Sequence, residues 1–340
     1  MHNHFIILFV TLSLCLIYLC RKNNLFVDYK LEKHKRYSTN LKSYSIGGIL
    51  LLFFLYYYFI LVLNNYYLLI FLSSIFLIGL FSDLKKLNSV SLRFFLQLVI
   101  IIFFIAILNL EINSTKIDLI DNILQNKIVN VVFVTFCLMV LVNGGNFIDG
   151  LNGLLLQYFL IVFIIINFYF GNYHFVDQQF LNNLIIILSI ILIFNLCGFL
   201  YMGDSGAYLL SLFAGVYLIE FSFNNIVISP YLMVVFLWYP CFELLFSMIR
   251  RSKKDIKTYK PDAYHLHQLV YDFVKTKLKS KNSLISHIYS SFIINLYNFI
   301  TFIVALNFVY SSEVLISIVA LNILVYVSFY YLLKNKKKYK

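Results

Sequence analysis

Residues 96–108 read Leu-Gln-Leu-Val-Ile-Ile-Ile-Phe-Phe-Ile-Ala-Ile-Leu, without one charged side chain. In a bilayer such a run is an ordinary spanning segment, because a helix needs about 20 mostly apolar residues to cross the hydrocarbon. Leu50–Leu63 and Leu184–Leu196 are equally free of charge. Working outward from these runs, we expect eleven spans, near 4–20, 45–63, 66–81, 92–110, 128–143, 154–170, 181–199, 205–223, 229–249, 284–310 and 313–333. The chain has 340 residues, 61% hydrophobic and 12% charged, which excludes an ordinary soluble domain of this length. Aromatics, mostly Phe and Tyr, suit lipid-facing surfaces and interface belts. The expected fold class is all-α: a polytopic membrane protein, one domain over 1–340.

The first span begins Met1-His-Asn-His, without a strongly basic start, and Arg21-Lys22 follows it. That reads as a retained helix with its positive flank inside rather than a cleaved signal. The five cysteines all lie in apolar runs without paired or metal-like spacing, as small buried hydrophobes do.

The formal net charge is +12. In a soluble protein that would point to nucleic acid, but its placement points to topology. Of 27 lysines and arginines, 25 fall in 21–44, 82–93, 250–283 and the tail after Leu333. Eleven helices with the N-terminus outside put all 25 on the cytoplasmic side, as the positive-inside rule asks. The cytoplasmic loops are then about 21–44, 82–91, 143–153, 200–206 and 250–283. We therefore expect membrane lipids and no nucleic acid among the partners.

Polar motifs interrupt the apolar chain on that same side. Ionisable groups near a bilayer are expensive, so their retention points to use. Asn143, Asn146, Asp149 and Asn152 are spaced by three beside Gly144, Gly145, Gly150 and Gly153. On a helix end they would share a face and offer oxygen to a hard cation, while the glycines let a nucleotide approach. A simple helix cap needs only one such residue. Asp204, in Gly203-Asp-Ser-Gly206, reads equally well as a helix start or as a site. Asp83 precedes Lys85, Lys86 and Arg93, which alone is only an interfacial ion pair. His265 and His267, with Asp262, lie in a strongly basic loop; in an extended segment both rings would face one anion. Asp28 with Lys30, Lys33 and Lys35 reads at least as well as a solvated basic loop. Glu220 and Glu243 are the acids nearest span interiors, and both are expected near span ends.

In this order the motifs resemble the polyprenyl-phosphate N-acetylhexosamine-1-phosphate transferases, glycosyltransferase family 4. The likeness runs from Asp28 to about Tyr271. Asn143–Gly153 looks like the family's N-x-x-N-x-x-D-G-x-[DN]-G, Met202–Gly206 like its M-G-D-x-G, and Asp262-x-x-His265-Leu-His267 like its last basic loop. Ile148-Asp-Gly-Leu-Asn-Gly153 and Pro261-Asp-Ala-Tyr-His-Leu-His-Gln268 look nearer the polysaccharide-linked branch than the muramoyl-pentapeptide branch. The resemblance implies about eleven helices around a cytoplasmic cleft in the bacterial inner membrane. It implies Mg2+ or Mn2+ as cofactor, a UDP-sugar donor, a polyprenyl phosphate acceptor, and a homodimer as a further partner. By matching position, Asp204 and Asn146 would hold the metal. Asp83 and Asp149 would be the acid/base or phosphate-orienting groups. His265, His267, Arg93 and Lys86 would hold the sugar diphosphate with Asp262, and Asn143, Gly150 and Asn152 would meet the nucleotide. One departure stands out: the family's usual Asp-Asp is Ser82-Asp83 here. Two rivals follow, a transporter and a non-catalytic relative that binds polyprenyl phosphate. The sugar, the polyprenyl length and the downstream polymer are not legible in the sequence.

Overall fold

The structure, a computed structural model, describes residues 2–27, 44–61, 66–171, 178–252, 264–279 and 282–338. Its apolar helices are α1 (His2–Asn23), α2 (Gly47–Leu61), α3 (Tyr66–Asp83), α4 (Val90–Leu108), α6 (Lys127–Ile148), α7 (Leu154–Tyr169), α8 (Gln178–Leu196), α9 (Gly203–Asn224), α10 (Tyr231–Ser252), α12 (Ser283–Leu306) and α13 (Ser312–Lys338). Each expected span falls on one of these helices. Among the described residues nine are long and apolar enough to cross a membrane, and α2 and α7 are shorter apolar helices. The chain is an all-α membrane protein.

Two helices were not expected, α5 (Asp118–Leu124) and α11 (Leu266–Leu278). Neither is long enough to cross, so a search for apolar runs passes over them. α11 lies in the stretch read as a loop. It is amphipathic: Leu266, Leu269, Val270, Tyr271 and Val274 are buried, and Lys275 and Lys277 are exposed. Such a helix lies along the protein's end rather than through it.

α9 is buried along most of its length, whereas only a small share of α1, α4 and α13 is buried. It is wrapped by α2, α3 and α6, while α10 joins α6 to α12 and α13. Glycine sets the closest approach. A Cβ on Gly79 of α3 would stand 2.4 Å from the Ser205 Cα of α9, so only glycine admits this contact. Strands β1 (Tyr44–Ser45) and β2 (Leu200–Tyr201) pair in parallel and tie the entry of α2 to the entry of α9.

α10 carries Pro240 in its interior. Proline has no N–H to give, so the carbonyl four residues earlier is left without its helical donor. The Tyr158 hydroxyl of α7 supplies one, donating to the Phe236 carbonyl at 2.8 Å. Inside a bilayer such a replacement is needed, since no water is there to make it. α10 is therefore continuous. It also corrects one expectation. Glu243 does not lie near a span end but is the thirteenth of 22 residues in α10, and is fully buried.

The ends of the helices sort as the charge threading requires. The C-terminal ends of α3, α6 and α10 meet the N-terminal ends of α4, α9 and α11, bringing Asp83, Asp149, Arg93, Asp204 and His265 to one end of the bundle. Arg21, closing α1, sits 4.7 Å over the Phe199 ring at this end. The opposite end carries Lys116, which donates to the Val227 carbonyl at 3.1 Å. There Asp121 takes hydrogen bonds from Ser114 and Thr115. Burial pushes its pKa up, but these bonds outweigh burial and hold it below the usual value.

Candidate active site

Asp83 closes α3, and its carboxylate reaches across to the start of α9. The Asp204 N–H donates to Oδ1 at 2.9 Å. The Ser205 N–H and hydroxyl donate to Oδ2 at 3.1 and 2.7 Å. A helix start carries unpaired N–H groups and partial positive charge, and an aspartate is a natural cap for both. Here the cap comes from another helix. Gly203 makes room for it: its φ is +70°, and a Cβ would stand 2.6 Å from Asp83 Oδ2.

Asp204 turns its own side chain the other way. Its Oδ2 accepts from Arg93 Nη1 at 2.7 Å and from the Ser82 hydroxyl at 2.5 Å. Arg93 also donates to the Ser82 oxygen. The three side chains close a ring in which the hydroxyl both accepts and donates. Arg93 stands in the first turn of α4, where the helix dipole disfavours a cation. Asp204 supplies what the helix does not.

The glycine-rich segment completes this end. Asn143 and Asn146 lie on the last turns of α6. Asn143 donates to Gln97 at 3.0 Å, and Asn146 reaches Tyr208 OH at 3.5 Å. Asp149 caps the helix and is half-buried. Burial, and then the Asp204 and Asp83 carboxylates, push its carboxyl well above the usual range. Asn152 departs from the expected single row of four. The helix stops at Ile148, and Gly153 takes φ +84°, so Asn152 turns inward. It is 1% exposed and donates to the Asn195 carbonyl at 2.7 Å, with its N–H toward His287 Nδ1 at 3.4 Å. It shapes the segment from below, while Gly150 stays exposed.

His265 and His267 are not in an extended loop. His265 is the N-cap of α11 and His267 lies in its first turn. Because His265 has extended backbone, with φ −78° and ψ 151°, the two rings are not splayed as on a helix. They stack at 5.4 Å with 13° between planes. His265 Nδ1 meets Glu243 at 2.9 Å, and Nε2 lies 3.3 Å from Arg251. His267 backs onto Gly150, where a Cβ would come 2.5 Å from its Nε2. Burial drives its pKa down to about 3, and the neighbouring His265 and His287 add to this against the opposing pull of Glu243. His267 is therefore neutral at physiological pH.

Asp83, Asp149, Asp204, Arg93, Asn143, Asn146, Gly150, His265 and His267 thus share one end of the molecule. Lys86 is exposed on the turn after α3, and Asp262 and Asp28 lie outside the described residues. The sequence reading left Ser205, Glu243 and Arg251 without a role in the site. Ser205 was signalled by its place after Asp204, and Arg251 by the basic end of α10.

The implied metal fits the donor chemistry. Asp204, Asn146 and Asp149 offer hard oxygens, and Arg93 pairs with Asp204. Among the described residues no three His, Cys, Asp or Glu side chains form a ready-made cage. Mg2+ does not ask for one, since it commonly takes one or two carboxylates with water and substrate phosphates.

No curated protein matches this chain. Residues 65–222 match the model of glycosyl transferase family 4, a stretch that contains Ser82, Asp83, Arg93, the 143–153 segment and Asp204. With its motifs gathered at one end of an apolar helix bundle, the chain is similar over residues 65–222 to glycosyl transferase family 4.

Proposed function

We propose that the protein transfers an N-acetylhexosamine-1-phosphate, or a related hexosamine-1-phosphate, from a UDP-sugar to polyprenyl phosphate. UMP is released, and the polyprenyl-diphosphate sugar starts a cell-envelope polysaccharide. The observation that carries this reading is the Ser82–Arg93–Asp204 ring, set on the α9 start that Asp83 caps, at the end of a bundle of apolar spans.

An oxygen of the lipid phosphate attacks the phosphorus that bears the sugar. The bond from that phosphorus to the bridging oxygen breaks, and UMP leaves with that oxygen. Two anions must meet, so the barrier is chiefly electrostatic. Mg2+ or Mn2+, held by Asp204 and Asn146 with Asp149 beside them, would supply neutralisation at the diphosphate. Arg93 is already charged and fixed, and an incoming diphosphate offers it a second anion. His265 and His267 border Gly150 and Phe147, where a nucleotide would approach the backbone.

The nucleophile is already ionised at neutral pH, so no strong base is required. That agrees with Asp83, whose two oxygens are engaged by three donors from α9. It also gives Ser82 work to do, against the reading of an impaired relative. A transporter would need broken helices or unpaired charge at mid-span. α10 is continuous, and Glu243 is engaged by His265 and Tyr326.

The test is UMP release by purified protein given polyprenyl phosphate, Mg2+ and a panel of UDP-sugars. Release with one hexosamine donor, dependent on the lipid, is the expected result. No release with any donor would overturn the proposal.

A further inference from the structure

Glu243 has no part in the reaction as proposed, yet it is a fully buried acid in the interior of a spanning helix. A carboxylate there is costly unless it is paired. Two other elements pair it. His265, at the start of α11, brings Nδ1 to Oε1 at 2.9 Å, and Tyr326 of α13 donates its hydroxyl to Oε2 at 2.7 Å.

These contacts fix the imidazole's protons. An ionised glutamate can only accept, so Nδ1 carries the hydrogen. Arginine can only donate, so Nε2, 3.3 Å from Arg251 Nη2, presents its lone pair. The Ser247 oxygen, 3.2 Å from Nδ1, accepts a share of the same hydrogen. The ring plane is held as well. Phe147 meets it edge-on at 5.1 Å, His267 stacks on it, and Gln268 accepts the His265 N–H at 3.2 Å. Arg251 also lies 5.5 Å over the Phe147 ring, one residue beyond Asn146.

We infer that Glu243 is a positioning residue. It fixes His265 in the Nδ1–H form, so that Nε2 accepts from Arg251 and aims its guanidinium at the 143–153 segment, where the phosphates of a nucleotide sugar would lie. This rests on the proposed reaction for what the pair meets, but not for the tautomer itself. The bland alternative is that Glu243 only ties α10, α11 and α13 together.

The full chain in nanodiscs, with 15N-labelled histidine, separates the two. The His265 signals are assigned by their loss in His265→Gln. Wild type should show a protonated Nδ1 and an unprotonated Nε2, and Glu243→Gln should mix the tautomers. A wild-type Nε2–H form, or an unchanged spectrum in Glu243→Gln, overturns the inference. In UMP release, Glu243→Gln should lose about 10- to 100-fold in kcat/KM, as loss of a carboxylate behind a histidine does at metal sites. Glu243→Asp should recover part of it, and Glu243→Gln with His265→Gln should be no slower than His265→Gln alone. Tyr326→Phe removes the other partner but keeps the tautomer, so it should lower thermal stability while kcat/KM stays within about threefold. If Tyr326→Phe slows turnover as much as Glu243→Gln does, or if the Glu243 and His265 losses multiply, the role is structural. If wild type releases no UMP at all, the transferase reading fails, and the tautomer measurement alone judges Glu243. Should Glu243→Gln not fold, the wild-type tautomer and Glu243→Asp still decide.

Discussion

Ser82 stands where the family that this stretch resembles usually has a second carboxylate, and its hydroxyl is hydrogen-bonded to Asp204 Oδ2 at 2.5 Å. An aspartate there would set two like charges at contact with one guanidinium between them, and each would raise the other's pKa. Ser82→Asp should therefore turn over no faster than wild type in one membrane preparation. A gain of about tenfold, worth about 1.4 kcal/mol of barrier, would mean that the missing carboxylate matters. His267 makes a second prediction. Its folded value of about 3 lies below the ordinary 6.5. The unfolded chain therefore takes the proton first, and stability is lost as pH falls from about 6.5 towards 3 while it is intact above. The unfolding temperature of wild type should drop more steeply over that window than that of His267→Gln; parallel curves would contradict the neutral, buried ring. At this scale the sequence showed which residues matter better than what they touch. Asp83 was readable as a polar interruption, but its partners lie 121 and 122 residues away in α9. No local spacing shows that it caps another helix.

At the scale of elements, the site depends on how closely α3 lies against α9. Gly79→Ala would press a methyl into the Ser205 backbone and draw Asp83 away from the α9 start. Overpacking of this kind costs about 1–3 kcal/mol, and turnover should fall with it. Gly171→Ala is the control, because its Cβ would be 3.4 Å from its nearest neighbour, the Asn167 carbonyl. Equal behaviour of the two variants in thermal unfolding and UMP release would show that the α3–α9 contact is not what sets the site. Spans were legible because apolar length is a strong local signal, as in 96–108. α11 was not, because thirteen amphipathic residues inside a basic stretch look like a loop to a count of apolar length. The inward turn of Asn152 was hidden for a related reason. A spacing of three implies one face only while the helix lasts, and this helix ends at Ile148.

For the whole molecule, the charge pattern and the fold agree: the polar motifs and the basic helix ends meet at one end of the bundle. We propose that this end is cytoplasmic. A reporter fused after Tyr339 should be active only in a cytoplasmic form, and a periplasmic signal there would contradict the one-sided site. The central claim is that the unit transferred is a sugar phosphate and not a sugar. It is tested most directly with a UDP-sugar labelled with 32P in the phosphate next to the sugar. After incubation with the protein, Mg2+ and polyprenyl phosphate, the account predicts label in the organic-extractable lipid and unlabelled UMP in water, and no transfer by Asp204→Asn. Label left in aqueous UDP, with unlabelled sugar on the lipid, would contradict it.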